Sequence, residues 1–199
     1  MGLVNRLFGL IWPIPDHPRK VATQCAGGLG DGEGMPVSPL AVANTFVDKF
    51  GRERGIDPLK LQKLDYCVHG WWLAEHPLPI LSERPQVWKR GPVFPSLYHD
   101  LKVFGMRPVK EPQSSDPFEE APLVPATEVD LLKLISWVWK RYGHLTGNEL
   151  SEMTHRKGSA WRQIAEARNF VVPRNTPIPD DDVRAEFQSL IHLMTPKAQ

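Results

Sequence analysis

The segment Asp57–Leu101, DPLKLQKLDYCVHGWWLAEHPLPILSERPQVWKRGPVFPSLYHDL, sets the architecture of this chain. Asp57 followed by Pro58 is a helix start, since the aspartate can accept from a free backbone N–H and proline fits the first helical turn. Leu61, Leu64, Val68, Trp71 and Trp72 then recur at helical spacing. Leu59, Tyr66 and Cys67 widen the apolar surface until Pro77 stops the helix. A helix apolar on most sides is expected at the centre of a bundle. Beyond it, Pro79–Ser82 and Gln86–Trp88 read as a small hairpin turning at Glu83 and Arg84, with Pro85 confining it to an edge. Pro95 opens another helix carrying Leu97, Tyr98, Leu101 and Phe104, with Gly105 as its stop.

Toward the N-terminus, Ser38 and Pro39 form a second helix start, with Leu40, Ala43, Phe46, Val47 and Phe50 on one face before Gly51 and Gly55. Residues 1–34 do not share this patterning and are expected to be a disordered or wrongly assigned N-terminal extension, with folding starting near Met35. The apolar run Leu7–Trp12 behind Arg6 is too short, and lacks a clean small-residue cleavage site, to read as a signal peptide. Arg6 at the sixth position also argues against myristoylation at Gly2.

Toward the C-terminus, Met106–Ala126 is proline-rich, and residues 111–130 carry six acidic side chains and no basic one. That composition predicts a mobile, solvated acidic loop at 106–126. Thr127 is expected to open a helix with Leu131, Leu134, Ile135, Val138 and Tyr142 inward and Gly143 as its end. Thr146 and Glu149 have capping-box spacing, flanked by Leu145 and Leu150 as a hydrophobic staple. Ser159 begins a short helix through Ile164, and after Pro173–Pro179 a last helix aligns Val183, Phe187, Leu190, Ile191 and Met194. The sum is a mainly α, single-domain helical bundle of six to seven helices with one small β-hairpin-like element and no internal repeat.

Composition narrows the function. With 199 residues, 41% of them hydrophobic, the chain can bury one sizeable core. A formal charge of +1 provides no global attraction to nucleic acid, and no apolar run is long enough to span a bilayer. Cys25 and Cys67 stand 42 positions apart with no metal-ligand spacing, so neither a disulfide framework nor a zinc site is indicated and a reducing cytoplasm fits best. No nucleophile elbow or P-loop occurs.

Three stretches in order, LQKLDYCVHGWWLA from Leu61, WKRGPVFPSLYHDL from Trp88 and LTGNELSEMTH from Leu145 with Trp161 following, resemble the Panacea domain of SocA-like antitoxins, a domain also found in phage-associated proteins. The resemblance runs from about Pro39 to Met194, so residues 38–195 are expected to form one Panacea-type helical domain. It departs at Asp65, where a hydrophobic residue is expected, and at Cys67 and Val68, which replace small and polar residues. The resemblance implies a non-enzymatic binding protein without cofactor or metal. Its partner would be a cognate protein toxin, encoded by the adjacent gene, that it neutralises, and it could also act as an adaptor delivering that toxin to an ATP-dependent protease such as ClpXP.

Read from the residues themselves, the candidate partner-binding positions are Trp72, Trp88, Lys89, Arg90, Tyr98 and Trp139. Tryptophan, tyrosine and arginine bury large rigid area and carry polar ends, which is why they dominate binding hot spots. Trp71 lies on the apolar stripe and is expected in the core. Trp137 and Trp139, two apart on one helix, cannot both face inward, so Trp139 is expected to be exposed or to contact the hairpin region. Two rival functions are weaker. His69, the pair His99-Asp100 and Asp130 follow the order of an HD-type metal phosphohydrolase, although Asp130 already suits the positive end of its helix. Residues 133–174 carry eight Lys or Arg against three Glu, with Lys140, Arg141, Arg156, Lys157, Arg162 and Arg168 expected to be exposed, a face that could meet phosphates of a nucleic acid. Near-neutral overall charge and the lack of a helix-turn-helix pattern make direct nucleic-acid binding the lesser alternative.

Overall fold

Seven α-helices and one two-stranded antiparallel sheet make up the computed structural model, which describes residues 36–194. The expectations for residues 1–34 and for Met35 lie outside the described residues. The mainly α class with one small hairpin is therefore observed as expected.

Four of the helices start where a short polar side chain takes up a free N–H. Ser38 accepts from Ala41 at the head of α1, Pro39–Phe46, and Asp57 accepts from Lys60 at the head of α2, Pro58–Glu75. The hairpin strands are β1, Gln86–Trp88, and β2, Gly91–Val93. Next come α3, Pro95–Leu101, which tightens into a 3-10 turn over Lys102–Phe104, and α4, Val129–Tyr142. Helix α4 begins two residues later than the expected Thr127, with Glu128 preceding it and making no side-chain cap. Thr146 and Glu149 close a reciprocal capping box on α5, Gly147–Thr154, and Ser159 caps α6, Ala160–Glu166. The last helix, α7, spans Asp180–Met194.

Helix α2 is the axle. It packs against α1, α3, α4, α5 and α7 and against β2. Twelve of its eighteen residues are buried, which explains why its apolar residues show no single stripe. Helix α1 is buried at every position and continues into a π-helical turn, Val47–Gly51. Among the described residues, no helix is long and apolar enough to cross a membrane.

The acidic, proline-rich segment is not a free loop. Its first part pairs with the chain after α1, Ile56 and Val109 exchanging both backbone hydrogen bonds at 2.9 Å. Further on, the buried Asn44 side chain accepts from the Gln113 N–H at 2.8 Å and donates to the carbonyls of Gln113 at 2.7 Å and Pro122 at 2.9 Å. The Thr45 hydroxyl accepts from the Val124 N–H, and Val109 and Val124 are buried. Acidity keeps the intervening residues in solvent, but two polar side chains of α1 and two valines strap the segment to the bundle.

Candidate functional site

The hairpin turns at Lys89-Arg90, not at Glu83-Arg84, with register Gln86 to Val93, Val87 to Pro92 and Trp88 to Gly91. The reason is Gly91, whose φ of +98° is open to glycine at no steric cost. Lys89 and Arg90 keep negative φ, the pattern of a type I turn closed by a left-handed glycine. A Cβ at Gly91 would strike the Thr154 hydroxyl and stand 2.9 Å from the Lys63 Nζ. Leu81 instead pairs in parallel with Val37, and residues 176–178 run beside the outer edge of β1, with Val87 donating to Thr176 and Ile178 to Pro85.

A two-stranded hairpin is marginal by itself. Here other elements hold nearly every carbonyl around the turn. Trp161 Nε1 donates to the Trp88 carbonyl at 2.9 Å, Ser151 Oγ to that of Arg90 at 2.8 Å, and Lys63 Nζ to that of Pro92 at 2.6 Å. His155 Nε2 lies 3.3 Å from the Lys89 carbonyl. Gln62 grips Phe94 from both sides, accepting its N–H at 2.8 Å and donating to its carbonyl at 3.1 Å. Lys63 is fully buried beneath the turn, and desolvation, with the Arg90 charge adding to it, brings its ammonium down to a pKa of about 7.

The clamped hairpin presents a mixed surface. The Trp88 ring is half-buried, its Nε1 donating to Gln86 Oε1 and its centroid 4.9 Å from that of Tyr98. Tyr98 is 43% exposed, Lys89 and Arg90 are exposed, and Arg90 donates to Asn148 Oδ1 at 2.6 Å. Four of the six candidate positions are thus brought together. Trp72 lies elsewhere, at the C-terminal end of α2, stacked on His76 with centroids 3.9 Å apart and donating to the Leu78 carbonyl.

Trp139 corrects the sequence expectation. It is half-buried, neither exposed nor against the hairpin, and stacks on Phe50 with centroids 4.8 Å apart while the Lys60 ammonium sits 4.9 Å over the ring. Trp137 packs edge-on to Trp71 and Tyr142. Helix α4 has neighbours on both flanks, the end of α1 and the body of α2, so tryptophans on opposite sides both find cover. Trp71 is a core residue as expected, 4% exposed and donating to the Tyr142 hydroxyl.

Sequence reading missed the polar interior of α2. Tyr66 donates to Glu186 Oε2 at 2.7 Å, and Glu186 also accepts from the Ala160 N–H and from Arg156, all at 3.0 Å or less. Burial pushes the Glu186 carboxyl up against the opposing pull of Arg156, and pushes the Cys67 thiol up to about 12. Asp65 is fully buried with neither carboxylate oxygen hydrogen-bonded, and desolvation raises its pKa well above the ordinary range. The visible signal was the run of polar residues at 62, 63, 65, 66 and 69 inside a helix otherwise patterned for burial.

Several residues of the two rival readings have other partners. His69 is buried against Asp180, 3.3 Å away, which also accepts from Arg84, whereas Asp100 accepts from Ser115 and Asp130 pairs with Lys133. No three His, Cys, Asp or Glu side chains converge among the described residues. In the basic half, Arg156 is not exposed but pairs with buried Glu186, and Arg162 and Lys133 are paired with Glu166 and Asp130. The free positive face is smaller than the residue count implies.

The chain matches the family described as antitoxin SocA-like, Panacea domain, over residues 61–162, just over half its length. That match covers α2 from its fourth residue, the hairpin and the helices through the start of α6. The chain is also 29% identical over 156 residues to the antitoxin SocA of Caulobacter vibrioides (strain NA1000 / CB15N), covering 76% of this chain and 83% of the relative. No solved structure matches it.

Proposed function

Because the chain belongs to the SocA-like, Panacea-domain antitoxin family, we propose that it is a non-enzymatic antitoxin that binds and neutralises a protein toxin encoded by the adjacent gene. The observation that carries the site assignment is the clamped hairpin. Trp88 and Tyr98 form an amphipathic, partly solvated ring pair beside the exposed Lys89 and Arg90, on a backbone held by other elements at five residues between Trp88 and Phe94. A preformed surface loses little conformational entropy on binding, so its aromatic anchors can convert burial into affinity. Trp72 and Trp139 lie away from the hairpin, with ring and cation partners of their own, and are not assigned to the toxin-binding surface.

The test is co-expression. The neighbouring gene is induced alone and together with this chain, and growth and complex formation are measured. Rescue by the native chain, weakened by Trp88→Ala and Tyr98→Ala with unchanged cooperative melting, is the expected result. Each truncation should lower affinity by about 1–3 kcal/mol, roughly tenfold or more. A harmless neighbour, or rescue indifferent to both substitutions, would refute the function or the site respectively. Toxin abundance during rescue distinguishes sequestration, which leaves it unchanged, from delivery to an ATP-dependent protease such as ClpXP, which lowers it.

A further inference from the structure

Two features away from the hairpin complement each other. The first is a cleft of roughly 550 Å³ where the end of α1 meets α4, lined by Lys49, Arg52, Arg54, Lys60 and His144 with Glu53 its one acidic residue. Its floor is the stacked pair Phe50 and Trp139. Arg52 is satisfied by Asp48 and Lys60 by the Gly143 carbonyl. Lys49 and Arg54 are exposed and without a hydrogen-bond or ion-pair partner among the described residues. Burial lowers the Lys60 pKa against the pull of Asp57 and Glu149.

The second feature is the tip of the acidic strap. Phe118 is 95% exposed and stands among Asp116, Glu119 and Glu120, all of them exposed. It is held outward rather than left loose. Its N–H donates to Asp116 Oδ1, the Glu119 N–H to the Asp116 carbonyl, and Ser115 to Asp100, while Asn44 pins the neck of the loop at Gln113 and Pro122. A phenyl ring this exposed leaves unfavourable apolar surface in water, and a single anchoring aromatic is the chemistry of a binding hot spot.

We propose that the Phe118 tip of one copy of this chain docks in the Lys49–Arg54 cleft of a second copy, and reciprocally, forming a twofold dimer. The charges match: three carboxylates around the ring meet the unpaired ammonium and guanidinium on the cleft rim, while the ring meets the Phe50–Trp139 floor. The strap also begins at the cleft itself, since Gly55 in the cleft wall abuts Pro108 and Lys110 and the Ile56–Val109 rung joins the two. A strap that leaves from the socket puts knob and socket on one chain, the pairing that a reciprocal, self-complementary twofold interface uses. Within its own chain the ring is not seated in the cleft, since Phe118 is 95% exposed while the Asn44 clamp and the Ser115–Asp100 bond fix the strap on either side of it.

Sedimentation velocity of the full chain over a wide concentration range, at low and high salt, tests this. The native protein is expected to show a monomer–dimer equilibrium that weakens with salt. Phe118→Ala, and separately the pair Lys49→Glu with Arg54→Glu, should each raise the dissociation constant by about tenfold or more. Adding Glu119→Lys and Glu120→Lys to the cleft pair should restore the dimer. All these side chains are exposed, so melting should be unchanged in every variant. A chain monomeric at all concentrations, or a dimer indifferent to these substitutions, overturns the proposal.

Discussion

Asp65 shows most clearly how a single side chain can oppose its own fold. In the unfolded chain its carboxyl ionises near its ordinary pKa of 3.8, but in the bundle it is fully buried with no hydrogen-bond partner and its pKa is raised. Folding therefore takes up a proton at pH values between the unfolded and the raised folded pKa, and the stability fully present below 3.8 is lost as pH rises through that window. Asp65→Asn should stabilise the protein at pH 7 by about 1–3 kcal/mol, measured by urea denaturation, with the gain shrinking toward pH 4. A gain of the same size at both pH values would show that ionisation is not the cause. Lys63 is the cationic counterpart, lowered from 10.5 to about 7 by burial. Between those values the unfolded chain binds more protons than the folded one, so the Lys63 contribution to stability rises with pH across that window. Relative to Lys63→Met, the native chain should gain stability between pH 7 and pH 10, and a constant difference would contradict a desolvated ammonium. The departure at Asp65 was visible in the sequence, but the burial that makes it costly was not. Nothing local distinguishes a carboxylate on a wet face from one on the axle of a bundle.

At the scale of elements, the packing of α2 on α7 depends on one absent side chain. A Cβ at Gly70 would fall inside the Phe187 ring, and that ring also meets Tyr66 and Trp71 edge-on. Gly70→Ala should lower stability by about 1–3 kcal/mol through forced displacement of Phe187, despite the better helix propensity of alanine. Unchanged or higher stability would mean that α7 can slide without loss. The end of α2 is secured from the same side, because Arg184 donates to the carbonyls of Leu73, His76 and Pro77, groups that a helix end otherwise leaves to water. Helix starts were the most legible elements in the sequence, since Ser38, Asp57, Thr146 and Ser159 act through bonds to residues three positions on. The hairpin turn was misplaced because its determinant is not a favoured turn pair but Gly91 seated on Lys63 and Thr154, residues 28 and 63 positions away.

Across the whole molecule, the strap over α1 illustrates the limit of composition as a guide. Asn44→Ala should release residues 113–122 without unfolding the bundle, seen as faster amide hydrogen exchange at Gln113 while the core amides stay protected. Equal protection in the variant would show that Val109 and Val124 suffice to hold the strap. Acidic and proline-rich content correctly kept those residues out of the core, but it could not reveal that one buried amide side chain would satisfy three backbone groups at the neck. The same limit applies to the tryptophans. Their identity marked them as anchors for binding or for packing, and only their neighbours separated Trp88 beside Tyr98 from Trp139 on Phe50. By itself, the sequence determined the helical class, the helix starts and the membership of an antitoxin family, because capping, apolar periodicity and ordered motifs are written within short spans of chain. The tertiary structure alone decided which aromatic rings face solvent, which charges are buried and how the hairpin is held, because burial and hydrogen-bond satisfaction depend on partners that meet only when distant segments pack.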